Sequence, residues 1–189
     1  MPQATHSQSF SWQGLVSGAV AGLVASWAME QVQARVSQAA DDGADLAQRA
    51  SGHASTWSAR TQDQVSGQAR PATVKAADAA IEPLAHRPLS RDEQDVAGPV
   101  MHYVFGASVG AVYGVLAERR PDVTRLGGIP FGLSVWATAD QAGISALGLA
   151  PPPWLRPRRA QQYALVSHVT FGLTAELVRR AVRAALPAR

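Results

Sequence analysis

Small residues recur at every fourth position in four separate stretches of this chain, and each run stops at a carboxylate. The first is Gly14, Gly18, Gly22 and Ser26, ending at Glu30; the second is His102, Gly106, Gly110 and Gly114, ending at Glu118. The third passes through Gly128, Gly132 and Trp136 to Asp140, and the fourth through His168 and Gly172 to Glu176. A spacing of four keeps side chains on one face of an α-helix. In water each interior glycine costs a helix about 1 kcal/mol relative to alanine, so such runs are self-defeating there. In lipid, small residues let helix backbones approach closely. The pattern predicts an all-α fold, a four-helix transmembrane bundle.

Hydropathy divides the chain the same way. The mean value of -0.05 averages two materials. Trp12 to Met29 and Val96 to Ala117 carry no charged residue, and each is close to the roughly 20 residues that cross a hydrocarbon core. Leu126 to Leu155 has a single charge, Asp140, and Ala160 to Ala175 has none. Helices are therefore expected over residues 11–32, 99–118, 126–149 and 159–179, in one domain. A long, polar and partly helical connector, 33–98, separates the first two. Pro99 suits the first turn of the second helix, and Pro151-Pro152-Pro153 ends the third. Four antiparallel crossings put both termini on one side. No Lys or Arg precedes Trp12, so the first segment lacks a secretory n-region and is read as retained.

The sequence pI near 9.9 invites a nucleic-acid reading, but the basic residues do not form one patch. They collect beyond the apolar stretches, at Arg119, Arg120 and Arg125, at Arg156, Arg158 and Arg159, and at Arg179, Arg180 and Arg183. Flanking arginines anchor and orient membrane segments, and their slight excess on the side of the termini assigns both termini to the cytoplasm. No aromatic-basic interleaving supports nucleic-acid binding. The partner implied is the lipid bilayer, with a homo-oligomer formed through the glycine faces, or another membrane protein, as a further expectation. The absence of Cys excludes disulfides and thiolate metal sites.

Four helix ends carry the candidate chemistry. Glu118 with Arg119 and Arg120, and Glu176 with Arg179 and Arg180, read as interfacial ion pairs. At about 1.5 Å per residue, Glu30, His102 and Asp140 fall roughly 27, 24 and 21 Å from the side of the termini, and His168 roughly 13 Å. The first three are expected to form one polar layer, with Asp140 close to His102. Plainer readings stay open. Glu30 and His102 are also ordinary interfacial groups, His168 is also interhelical glue, and segment three also ends naturally at Asp140. No close ligand motif supports a metal, and no nucleophile elbow, P-loop or dinucleotide fingerprint supports a cofactor or an enzyme. The favoured class is a non-enzymatic structural or accessory membrane protein. The alternative is a conduit or sensor for protons or small solutes, built on Asp140, His102, Glu30 and His168.

Several blocks in order carry a family resemblance. They are Ser26-Trp27-Ala28-Met29-Glu30; His102-Tyr103-x-Phe105-Gly106 with Tyr113-Gly114 and Ala117-Glu118; Phe131-Gly132 with Trp136 and Asp140; Leu147-Gly148-Leu149; and His168, Phe171-Gly172, Glu176 and Arg179-Arg180. The chain resembles the YagU-like family of bacterial inner-membrane proteins, whose function is unknown. It departs from that pattern at Gln141, where an acid beside the aspartate is expected. The resemblance implies a multi-pass inner-membrane protein and no reaction.

Overall fold

The computed structural model describes residues 12–51 and 70–187; the connector from 52 to 69 lies outside the described residues. Among the described residues the chain is all-helical. Helix α1 is Trp12–Ser51, α2 is Ala72–Ala85 and α3 is Arg91–Arg119. A 3-10 stretch, Pro121–Gly128, leads into α4 (Ile129–Val135), a π-helical stretch (Trp136–Gly143) and α5 (Ile144–Ala146). A 3-10 turn at Pro153–Leu155 precedes α6 (Arg158–Ala185).

Two helices are long and apolar enough to cross a membrane, Trp12–Val36 within α1 and Arg91–Arg119. Both overrun the bounds expected from sequence. The 40 residues of α1 reach about 60 Å, twice a hydrocarbon core of about 30 Å, because no Pro or Gly interrupts Gln31 to Ala40. Helix α3 begins at Arg91, not at Pro99, because Ser90 and Glu93 form a capping box. The Ser90 hydroxyl accepts the Glu93 N–H at 3.4 Å and the Glu93 carboxylate accepts the Ser90 N–H at 2.7 Å. Pro99 therefore lies inside the helix. Arg87 also donates twice to Glu93, and with Ser90 it holds that carboxyl down at about 2. Helix α2 packs on this extension, where Val74 fits against Gly98. Its Asp78 is buried and accepts from Arg70 and from the Leu89 N–H.

The glycine runs are where the backbones meet. Helices α1 and α3 pack antiparallel, with Gly14 against Gly114, Gly18 against Gly110 and Gly114, and Gly22 against Gly106 and Gly110. A Cβ on Gly110 would stand 2.6 Å from the Gly22 Cα, and one on Gly18 would stand 2.8 Å from the Gly114 Cα. Those neighbours are backbone, so no side-chain rotation relieves the clash. The same contact recurs between α4 and α6, where Gly128 and Gly132 meet Gly172 and the backbone of His168. Helix α1 packs on α6 as well, and the Gln13 amide donates to the Pro187 carbonyl at 2.7 Å. The glycine faces are consumed inside the chain, so a second copy would have to use another surface.

What remains outside is apolar. On α1, Ser17, Ala21, Ala25 and Ser26 are buried while Leu15, Val16, Val20, Leu23, Val24 and Trp27 are exposed. On α3, Val100, Val104, Phe105 and Val112 face outward; on α6, Val166, Leu173 and Leu177 do, while Ser167, His168 and Glu176 face inward. The interior also holds Met29, Tyr113, Val135 and Phe171, but the number of large apolar side chains left outside is unlike a water-soluble domain.

Candidate functional site

The bundle has a polar centre at each end. Side one is the end holding Trp12, Arg119 and Ala185, and side two is the opposite end.

At side one, Glu176 is 1% exposed. Its carboxylate accepts from the Tyr113 hydroxyl at 2.8 Å, from Arg179 Nε and Nη2 at 2.8 and 2.9 Å, and from Arg180 Nε at 2.6 Å. The arginines arrive from the same helix at i+3 and i+4, and the tyrosine from α3. Tyr113 stacks on Phe131 of α4 at 4.1 Å between centroids, and Phe131 lies 6.3 Å from Phe171 of α6. Glu176 pairs with the arginines expected of it, but inside the bundle rather than at its rim. Glu118 corrects the sequence reading. It packs beside Gly14 and accepts from Arg183 of α6 at 2.7 Å, not from Arg119 or Arg120. Arg120 turns to Asp122 at 3.3 Å, lowering that carboxyl below its ordinary range, and Arg119 is exposed at the end of α3.

At side two, Glu30 accepts from the Tyr103 hydroxyl at 2.6 Å and lies 4.0 Å from His102 Nε2. Asp140 is held elsewhere. Gln141 donates to its carboxylate at 2.6 Å and Arg156 at 3.4 Å; both Arg156 Nη atoms also reach the Asp140 carbonyl at 3.1 Å. Arg156 further donates to Ser145 Oγ and to the Pro151 carbonyl, each at 2.8 Å. Two features bring it there: the prolines turn the chain back toward the π-helical stretch, and that stretch binds Ile144 N–H to the Ala139 carbonyl five residues back. Asp140 thus lies in helical chain that continues to Ala146, and its partner is Arg156, not His102.

The single layer expected from sequence becomes a column. Gly132 lies against His168, so Asp140, eight residues on, stands roughly 10 Å nearer side two. The Tyr113–Glu176 bond sets His168 level with the turn of α3 around Phe105. From the inside outward the order is His168, then His102 with Glu30, then Asp140 with Arg156. The His168 ring is 8% exposed, its Nδ1 is 2.7 Å from the Ala164 carbonyl, and Asp140 and His102 both act on it electrostatically. A carbonyl only accepts, so Nδ1 carries a hydrogen, and in the neutral ring the lone pair is then on Nε2. Ser26 Oγ, His102 Nε2, Trp136 Nε1 and Gln161 Oε1 are buried without a hydrogen-bond partner. Among the described residues no three His, Asp or Glu converge as metal ligands.

Sequence reasoning placed Arg156 only among the flanking arginines and Tyr103 and Tyr113 only in the family blocks, and it did not single out Gln161. The tyrosines had a signal, since each directly precedes or follows a member of the second small-residue run.

An all-helical chain with two helices long and apolar enough for a membrane is the class these observations define. The chain belongs to the family described as "Protein of unknown function (DUF1440)", matched over residues 78–177, just over half its length. The match takes in His102, Tyr113, Asp140, His168 and Glu176, and leaves out α1 with Glu30. No curated protein and no solved structure matches the chain.

Proposed function

We infer that this is a four-crossing membrane protein of non-enzymatic type, a structural or accessory component of the bilayer. The observation that carries it is the apolar outer surface. Serines, a histidine, a glutamate and close-packed glycines lie inside, while Val, Leu, Phe and Trp cover the outside of the main helices. Contiguous exposed apolar surface marks a partner or a membrane rather than water, and lipid is the solvent that fits it here. The rod Ile129–Ala146 and helix α6 supply the third and fourth crossings beside the two apolar helices. The resemblance to YagU-like proteins supports a bacterial inner membrane, and the arginines at side one support cytoplasmic termini. Detergent should extract the protein where high salt and alkaline carbonate do not. Reporters at Met1 and Arg189 should report the cytoplasm together. Release by carbonate sinks the membrane reading, and reporters on opposite faces sink the four crossings.

A second reading has its own support. The unpartnered polar atoms lie on the side-two half of the bundle, the half that also holds the buried His168. Intramembrane Asp, Glu and His are costly, and they mark proton relays in many membrane proteins. This favours a sensor or acceptor over a through-conduit, because the Tyr113, Phe131 and Phe171 rings interrupt the polar column before Glu176.

A further inference from the structure

The two polar centres differ in what they leave unused. Glu176 has a donor for each lone pair that its neighbours can reach. On the side-two half, α6 turns Gln161 and His168 to one face, seven residues and about 10 Å apart. Spare hydrogen-bonding capacity is found on the same half, at Gln161 Oε1, Trp136 Nε1 and His102 Nε2. Ser26 Oγ, on a residue 1% exposed, adds more at the depth of Gly106. His168 is the innermost titratable group of that run. With Nδ1–H committed to Ala164, its Nε2 is the basic atom. One turn further in stands Phe171, and the only hydroxyl of the aromatic stack, on Tyr113, points to Glu176.

We propose that the side-two half of the bundle is a one-sided proton well. A proton entering from side-two water passes Glu30 and His102 and settles on His168 Nε2, and the Tyr113–Phe131–Phe171 stack closes the way to Glu176. The proposal rests on the membrane reading and deepens its second form by naming the ligand, the acceptor and the side of access. The balance is simple: hydronium becomes water, a neutral imidazole becomes imidazolium, and no other bond changes. The titratable groups that act on His168 are His102 on α3 and Asp140 on the π-helical stretch; Glu30 on α1 lies beside His102, Arg156 after the 3-10 turn pairs with Asp140, and Glu176 lies two turns away on its own helix. Glu30 is the acid on this path that no arginine holds. Of the acids in the described bundle, Glu118 has Arg183, Asp140 has Arg156 and Glu176 has Arg179 and Arg180, while Glu30 has a tyrosine and a histidine.

The test uses the full chain in unilamellar vesicles of one orientation, fixed by a reporter at Arg189, with ¹⁵N-labelled imidazoles. The inner and outer compartments are acidified separately, and the His168 signal is assigned by its loss in His168→Gln. It should follow the pH of side two and ignore that of side one. A signal that answers to side one, to both sides or to neither overturns the proposal. Protein that carbonate strips from the vesicles would instead overturn the membrane reading beneath it. In vesicles loaded with a pH dye, Phe131→Leu should equilibrate protons severalfold faster than the parent. A parental rate in a correctly inserted variant removes the seal, and the parent's own titration stands as the test if that variant fails to insert.

Discussion

Glu176 and Glu30 both accept a hydrogen bond from a tyrosine of α3, at opposite ends of the same bundle, and the resemblance ends there. Glu176 is 1% exposed and carries two guanidinium groups, while the side chain of Glu30 is 37% exposed with an imidazole 4.0 Å away. The difference is local in origin. Three and four residues after Glu176 come Arg179 and Arg180; three and four after Glu30 come Gln33 and Ala34. A helix that supplies its own countercharge one turn on can bury its acid, because paired, hydrogen-bonded charges are the ones an apolar interior accepts. A helix that does not must leave the acid near water, or beside a group that takes up a proton. One end of the bundle is thereby a lock, and the other keeps capacity to respond.

The harshest way to break that contrast is to remove the scaffold both ends share. Gly110→Leu sets a side chain against the Gly22 backbone, where even a Cβ has 2.6 Å. Overpacking a core costs about 1–3 kcal/mol when neighbours can shift, and here the neighbour is a helix axis. The variant should lose the α1–α3 contact and both glutamate sites with it, read as loss of the cooperative unfolding transition in detergent. A parental midpoint would mean that the glycine contact does not hold the bundle.

Next in size is the lock itself. Glu176→Gln strands Arg179, whose side chain is 11% exposed, and should cost about 3–5 kcal/mol in detergent unfolding. Arg180 is 61% exposed and can turn to water, so Arg180→Gln should cost much less. Glu30→Gln should stay within about 1 kcal/mol of the parent, since its pairing is partial and exposed. Equal losses at Glu176 and Glu30 would erase the distinction between the two ends. The tyrosines refine it. Tyr113→Phe leaves a buried carboxylate short of a donor and should cost about 1–3 kcal/mol, against about 0.5–1.5 kcal/mol for Tyr103→Phe. A larger loss at Tyr103 would reverse the assignment of lock and responder.

How much of this was legible in the sequence follows from how local each signal is. The glycine runs depend on a spacing of four within one helix, so both close contacts could be anticipated from Gly14 to Gly22, Gly106 to Gly114, and Gly128 to Gly172. The pairing of Glu176 with Arg179 and Arg180 is local in the same sense. The start of α3 was also written locally, as Ser90 three residues before Glu93, but the proline at 99 drew attention from it. Asp140 was misjudged because its partner is set by a loop. Only the turn through Pro151–Pro153 brings Arg156 sixteen residues back to it. The depths were misjudged because counting along each helix from its own charged end assumes level ends. The cross-helix bond from Tyr113 to Glu176 shows that the ends are not level.

A third glutamate separates pairing from burial. Glu93 is paired as fully as Glu176, by two bonds from Arg87 and by the Ser90 N–H, yet its side chain is 40% exposed. Those bonds, the ones from Arg87 first, bring its carboxyl from an ordinary 4.5 down to about 2. A lowered folded value means that the charged form is bound more tightly in the folded state. The stabilisation is therefore complete above about 4.5 and is lost as the pH falls through about 2. It should appear as amide hydrogen-exchange protection over residues 91–95, compared at each pH with Glu93→Gln to cancel the intrinsic rate. The parent should be better protected near neutrality and at pH 3, and should converge on the variant only toward pH 2. The effect should be the smallest of the series, because water already solvates both partners of an exposed pair. Loss that begins near pH 4.5 and runs on to about 2 is the expected course; convergence already complete at about pH 4 would show that Arg87 does not hold the carboxylate. An effect as large as that of Glu176→Gln would show that burial is not what makes the side-one lock strong.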